Sequence, residues 1–245
     1  MKTRNRKERE FHQREGEFLD LARRMIAEGG LTGFNMDRLA EATEYSKGTV
    51  YQHFASKEDL IAALAVQSLG RRVAWFERAV QFSGTTRERM QALSAAEEIF
   101  VTLQPLHFRS EMLIKVDDFA HRASDERRAE LERLEGRCLG AIHGIVNEAA
   151  RIGDLVLPAH RSAGDVVTGF AALHIGTFMV INSFPQMLRA MAITDPLRVL
   201  RDQVSVHLDG LNWRPLSNAY DSAMTYRRVL REVFPEESRQ AGRTE

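Results

Sequence analysis

Apolar residues recur along this chain at intervals of three and four. Alternating apolar–polar runs between Asn-Gly or Asp-Gly turns are nearly absent, so the pattern predicts helices throughout. Phe11, Phe18, Leu21, Ala22, Met25 and Ile26 share one stripe and predict a first helix over about residues 7–28, stopped by Gly29-Gly30. Asn35 caps a short second helix over about 36–43, with Met36, Leu39 and Ala40 facing inward. After a tight turn at Glu44-Tyr45, Ser46 caps a third short helix ending near Phe54. Ser56 caps a long fourth helix that carries Leu60, Ile61, Leu64 and Ala65 and runs to about Phe82; Asp59, three residues on, makes a partial capping box.

The remainder predicts five or six further helices. One covers about 86–104, up to Pro105, and another about 106–121. A third, from about Ser124 to Ile152, puts Leu131, Leu134, Cys138, Ile142, Ile145 and Ala149 on one face. Helices over about 163–184 and 196–212 follow, separated by Pro185 and Asp195-Pro196, then an amphipathic segment over about 217–233. Pro235 stops that segment, leaving 236–245 as a polar tail. The fold class is therefore all-α. A change in composition near residue 75 marks a functional boundary, with the fourth helix continuing across it.

Charge alters this picture only locally. Lys+Arg and Asp+Glu are both 34, so net charge gives no sign of a nucleic-acid partner. Residues 1–14 are nevertheless basic, with Lys2, Arg4, Arg6, Lys7, Arg9 and Arg14 against Glu8 and Glu10. This segment reads either as a solvated tail or as a minor-groove or phosphate-binding arm. The single Cys138 precludes an intrachain disulfide and fits a reducing cytoplasm. The N-terminus has no apolar leader segment. Residues 166–188 carry no formal charge over a membrane-spanning length, but Gly169, His174, Gly176, Asn182, Pro185 and Gln186 interrupt the run. A helix buried on several faces is the better account, and no membrane partner is expected.

The second and third helices are each about two turns long and are joined by three to four residues, which describes a helix-turn-helix. A helix that enters a major groove about 12 Å wide needs small or polar residues at its leading end. Ser46-Lys47-Gly48-Thr49 meets that need, while Val50 and Phe54, four apart, hold the inner face.

The segment MDRLAEATEYSKGTVYQHFASKEDL, residues 36–60, resembles the signature of TetR-type regulators. The matching positions are Leu39-Ala40, Ser46, Gly48-Thr49-Val50-Tyr51-Gln52-His53-Phe54 and Ser56-Lys57-Glu58-Asp59-Leu60. Thr43-Glu44-Tyr45 departs from the usual Ala-Gly-hydrophobic turn, so Glu44 implies a different turn or a left-handed residue. The resemblance implies base-edge or groove contact for Lys47, Gly48, Thr49 and Gln52, and phosphate contact for Tyr51, His53 and Lys57. Asn35 and Met36 would bring helix N–H groups to a phosphate. Ser46 and Ser56 are caps first and DNA contacts second. Tyr51 has a second reading, packed on the first helix, and His53 a second as an intradomain or solvated histidine.

The same resemblance implies a C-terminal part that dimerises and encloses a small-molecule effector pocket. Gly164, Gly169, Ala171, Ala172 and Gly176 make the uncharged helix the candidate for a homodimer contact. Phe100, Phe108, Met112, Phe119, Phe170, His174 and Phe178 are the pocket candidates, each also readable as core, with His174 either a satisfied buried histidine or a polar handle. Trp75 and Trp213 are ambiguous in the same way. Asp117 and His121, four apart, read as a surface pair or as two cation ligands. The expected function is a cytoplasmic bacterial regulator of operator DNA, a repressor released by an amphipathic or aromatic effector, with no cofactor or metal. A helical interaction protein of the same fold that no longer binds DNA is the alternative. No Walker loop, Rossmann fingerprint, His-Glu-x-x-His or G-x-S-x-G elbow points to an enzyme.

Overall fold

The computed structural model describes residues 2–116 and 119–243; the side chains of 2–5, 114–116 and 119 lie outside that description, as does Asp117. Among the described residues there is no strand. Twelve α-helices follow one another among those residues, and the chain divides into two compact units, Met1–Arg71 with Gln104–Glu135 and Arg72–Leu103 with Gly136–Glu245, with α4 and α7 each running across a boundary. Residues 104–135 thus group with the N-terminal unit.

In the first unit α1 (Lys2–Gly33) is interrupted at Gly30, whose φ of 69° breaks the helix where the glycine pair predicts a stop. The basic N-terminal segment is therefore helical from Lys2 on. α2 (Met36–Thr43) starts on Asn35, whose Oδ1 accepts from the Arg38 N–H at 2.8 Å. It ends on Glu44 at φ 59°, so the residue that replaces the expected glycine does take the left-handed conformation. α3 (Lys47–His53) starts on Ser46, and α4 (Lys57–Ala79) begins after Ser56. Phe18, Leu39, Val50, Phe54, Leu60 and Leu64 form the centre of one apolar core, fully withdrawn from water.

α6 (Pro105–Val116) joins this core through Leu113, followed by a 3-10 turn, Phe119–Arg122, and the start of α7 (Asp125–Ile152). Polar ties explain why that segment belongs here. Asp59 Oδ1 accepts from the Ser124 N–H at 3.0 Å, and Arg127 Nη2 lies 2.6 Å from Glu15. The reciprocal bond that completes a capping box goes instead from the Ala55 N–H to Asp59 Oδ2, at 3.2 Å. Within the same unit the buried Ser68 hydroxyl donates to Leu64 O at 2.8 Å and so accepts from His107 Nδ1 at 2.9 Å.

The second unit contains α5 (Thr86–Leu103), α8 (Ala163–Ser183), α9 (Pro185–Ala190), α10 (Pro196–Gly210), α11 (Ser222–Glu232) and α12 (Pro235–Gln240). Trp213 is fully buried and its indole N–H donates to Thr86 Oγ1 at 2.9 Å. Arg87, also fully buried, donates to Trp213 O at 2.7 Å and to Ser205 O at 3.1 Å and pairs with Asp209 at 2.7 Å, which satisfies a charge that would otherwise be costly inside. Trp75 packs edge-on against Phe100 at 5.5 Å and lies 5.9 Å from Phe234. α8 is 21 residues long and apolar enough to cross a membrane by length and composition alone. Val166, Val167, Phe170, His174 and Phe178 are buried within the unit while Thr168, Ala172, Gly176 and Met179 are exposed, so the helix is covered on one face and not on the several that its composition suggests.

Candidate nucleic-acid interface

α3 presents its leading end and one flank to solvent. Ser46, Lys47, Gly48, Tyr51 and Gln52 are exposed, whereas Val50 and Phe54 have no exposure at all. Ser46 Oγ accepts from the Thr49 N–H at 3.1 Å and lies 2.8 Å from Thr49 Oγ1, so the cap also ties the threonine hydroxyl. A Cβ on Gly48 would meet nothing closer than Ser46 Oγ, at 3.7 Å. The space its missing side chain leaves is therefore open to the outside, not filled by the fold. Lys47 Nζ reaches Asp37 Oδ2 on α2 at 2.7 Å, and that bond holds the ammonium pKa above its ordinary value.

Beside α3 lies an open concavity of about 470 Å³, lined by Asn35, Met36, Asp37, Tyr51, Ser56 and Lys57. The first-turn N–H groups of α2 have no intrahelical partner beyond the one that Asn35 satisfies, so this end attracts an anion. Asn35 is exposed, while the Met36 side chain is buried and only its backbone is of use here. Tyr51 is about half exposed, which favours an outward role over packing on α1.

Two expected phosphate contacts need correction. The His53 side chain is 1% exposed. Its ring stacks on Phe11 at 3.8 Å and meets Phe18 edge-on at 5.2 Å. Its Nδ1 stands 3.7 Å from Glu15 Oε2, too long for a hydrogen bond, so burial prevails and lowers the imidazole pKa. A buried, neutral ring on the α1 side reaches no phosphate, and His53 is a core residue. Lys57 is only half-buried, but its Nζ donates to Leu31 O at 2.7 Å and Phe34 O at 2.9 Å. Two of its three N–H groups hold the chain after Gly30, which leaves one for an outside acceptor.

The small-molecule pocket candidates are divided between the two units. Phe108 and Met112 lie in the first unit; Phe100, Phe170, His174 and Phe178 lie in the second. The Phe119 side chain is outside the description. Phe100, Phe170 and Phe178 are packed core. His174 is buried and satisfied: its Nδ1 pairs with Phe170 O at 2.9 Å and its Nε2 with Ser94 Oγ at 2.8 Å, with burial lowering its pKa. A carbonyl can only accept, so Nδ1 donates and Nε2 takes the Ser94 hydroxyl proton. One cavity of this unit, about 390 Å³, opens between α5, α10 and α11 and has an arginine-bearing lining in place of the aromatic one expected.

Residues 18–64, the stretch that builds the α1–α4 core and the exposed flank of α3, match the model for bacterial regulatory proteins of the tetR family. Over that stretch the chain is similar to TetR-family regulators. Over 123 residues it is 30% identical to the transcriptional repressor KstR2 of Mycobacterium tuberculosis H37Rv, covering 50% of this chain and 60% of KstR2. The chain thus spans somewhat under two thirds of the length of that relative. It is 26% identical over 163 residues to the transcriptional activator FasR of Mycolicibacterium smegmatis, covering 66% and 69% of the two chains. The solved structure of AibR in complex with isovaleryl coenzyme A and operator DNA superposes with a TM-score of 0.59 at 20% identity, covering 79% of this chain and 97% of AibR. The two curated relatives are regulators of transcription rather than enzymes.

Sequence reasoning missed two residues of this TetR-type face. Asp37 matters because it holds Lys47, and a separation of ten positions gives no helical signal. Arg38 is exposed, and its Nη1 donates to Gly33 O at 2.8 Å, bridging the end of α1 to α2. A basic residue three after the N-cap was the available clue.

Proposed function

We propose that this chain is a sequence-specific DNA-binding transcriptional regulator of the bacterial cytoplasm. It acts as a homodimer on a palindromic operator, as a repressor that a small-molecule effector releases. The observation that carries this reading is the exposed flank of α3, where Ser46, Lys47, Gly48, Thr49 and Gln52 stand beside the anion-favouring start of α2. Those five serve the groove. Tyr51, the α2 start at Asn35 and Met36, and the remaining Lys57 N–H serve the phosphates. DNA contact is assigned within residues 11–72, and dimerisation and effector binding within 73–245.

The dimer rests on the exposed face of α8. Thr168, Ala172, Gly176 and Met179 line it at intervals of four, four and three, and small residues let a second helix approach closely. KstR2 is named a repressor and FasR an activator, so the family accommodates either sign. Repression is favoured because a bound dimer on a promoter blocks it without further contacts. No cofactor is required.

Footprinting tests the reading. Two half-sites should appear with centres about 34–36 Å apart, or a multiple of that. Retention on DNA-cellulose should fall steeply as salt rises. A single asymmetric footprint, or no retention at low salt, defeats the proposal and leaves a helical interaction protein.

A further inference from the structure

The cavity between α5, α10 and α11 has a specific chemistry. α10 contributes Arg198, Arg201 and Asp202; α11 contributes Tyr226 and Arg227; α5 contributes Gln91 and Ser94. The lining side chains thus carry three guanidiniums against one carboxylate. Arg201 is engaged from behind, 2.6 Å from the fully buried Glu98 and 3.3 Å from Asp195. Tyr226 is engaged in the same way, its hydroxyl donating to Glu98 at 2.9 Å, and burial pushes its pKa up to about 12. Arg198 is held only by the exposed Asp202, at 2.7 Å. Arg227 has no carboxylate nearer than Asp221, at 4.0 Å.

Acceptors face these donors. Gln91 Oε1 is buried without a hydrogen-bond partner, a state that carries a cost. The Ser94 hydroxyl donates its hydrogen bond to His174, so toward any further partner its oxygen can only accept. A volume of about 390 Å³ lies within the usual range for small-molecule sites.

We propose that this cavity binds a small hydroxycarboxylate, with the carboxylate clamped by Arg198 and Arg227 and the hydroxyl donated to the Gln91–Ser94 wall. Charge-assisted bonds to two guanidiniums supply affinity, and the hydroxyl relieves the unpaired amide. The site is distinct from the aromatic positions that the sequence suggested. Binding as such rests on the cavity alone; its role as the effector site rests also on the regulatory reading. α10, which forms one wall of this cavity, packs on α8, the helix assigned to the dimer.

Calorimetric titration of the full chain with L-malate, and with succinate as its analogue without the hydroxyl, tests the site. Saturable malate binding is expected, with succinate about tenfold weaker. Arg227→Ala and Arg198→Ala should each weaken malate at least about tenfold. Asp202→Asn removes the carboxylate that competes for Arg198 and should tighten malate several-fold, a gain that misfolding cannot imitate. Absence of saturable binding by either acid, equal binding by wild type and Arg227→Ala, or weaker binding by Asp202→Asn overturns the proposal. A separate operator-release assay distinguishes the two layers. Malate that binds without releasing operator leaves the site standing and removes its effector role, whereas operator binding with no malate binding does the reverse.

Discussion

Lys47 on α3 and Asp37 on α2 meet across solvent at 2.7 Å, so the foremost cation of the DNA-facing helix is already paired before any DNA arrives. In the groove role proposed for Lys47, operator binding exchanges that carboxylate for an acceptor on the DNA, and both side chains are exposed enough to let go. Asp37→Asn should therefore raise affinity for all DNA sequences several-fold at low salt, and narrow the gap between operator and random DNA. Parallel gel-shift titrations on the two DNAs check this. A loss of affinity on both would mean that Asp37 positions Lys47 for the groove.

Gly48 offers a clean separation of folding from binding. With no neighbour closer than 3.7 Å to an added Cβ, Gly48→Ala should leave the fold intact and raise its stability by up to about 1 kcal/mol through helix propensity. Operator affinity should nevertheless fall, because the added methyl occupies the gap kept open at the groove. Thermal melts and gel shifts on the same preparation decide the matter. Unchanged affinity would show that this face of α3 does not approach DNA closely.

Lys57→Ala carries a stability cost that a pure phosphate contact would not. Two carbonyls, Leu31 O and Phe34 O, lose a charged donor, with an expected loss of about 1–3 kcal/mol in urea unfolding. Lys57→Arg, which keeps the charge but not the compact geometry, should recover only part of it. Wild-type stability in Lys57→Ala would return Lys57 to the role of a free phosphate contact.

His107 predicts acid sensitivity of the first unit. Burial, with Arg23 and Arg71 nearby, depresses its pKa to about 3. The unfolded chain takes up the proton near the ordinary value of about 6.5, so it binds more protons than the native state between about 6.5 and about 3. Stability from this group is present above pH 6.5 and is lost as pH falls through that window, at up to about 1.4 kcal/mol per pH unit. Urea titrations at pH 7, 6 and 5 on wild type and His107→Asn check it. The variant should show a shallower decline, and equal slopes would assign the acid sensitivity to other groups.

Helical periodicity made the all-α class and the α2–α3 geometry legible, because Asn35, Ser46 and the Val50–Phe54 spacing act through local physics. The prolines were half legible. Pro185, Pro196 and Pro235 stop what precedes them, yet each also occupies the first position of a helix, where a missing N–H costs nothing, so α9 and α12 escaped notice. His53 was misplaced because a resemblance supplies a side-chain role but not its direction; Phe11, forty-two positions away, covers it. The arginine-bearing cavity was invisible because its arginines, glutamine and serine come from three helices far apart in the chain and follow no period.

Both tryptophans of the chain fall in the second unit, Trp75 against Phe100 and Phe234, and Trp213 locked through Thr86. The molecule therefore carries its own spectral partition. Indole emission follows the unit that holds the arginine-bearing cavity and is blind to melting confined to α1–α3, while tyrosine emission from Tyr45 and Tyr51 belongs to the other. An unfolding curve read at indole wavelengths would report the first unit as intact after it had come apart, and only a second probe, such as helical circular dichroism, would expose the difference.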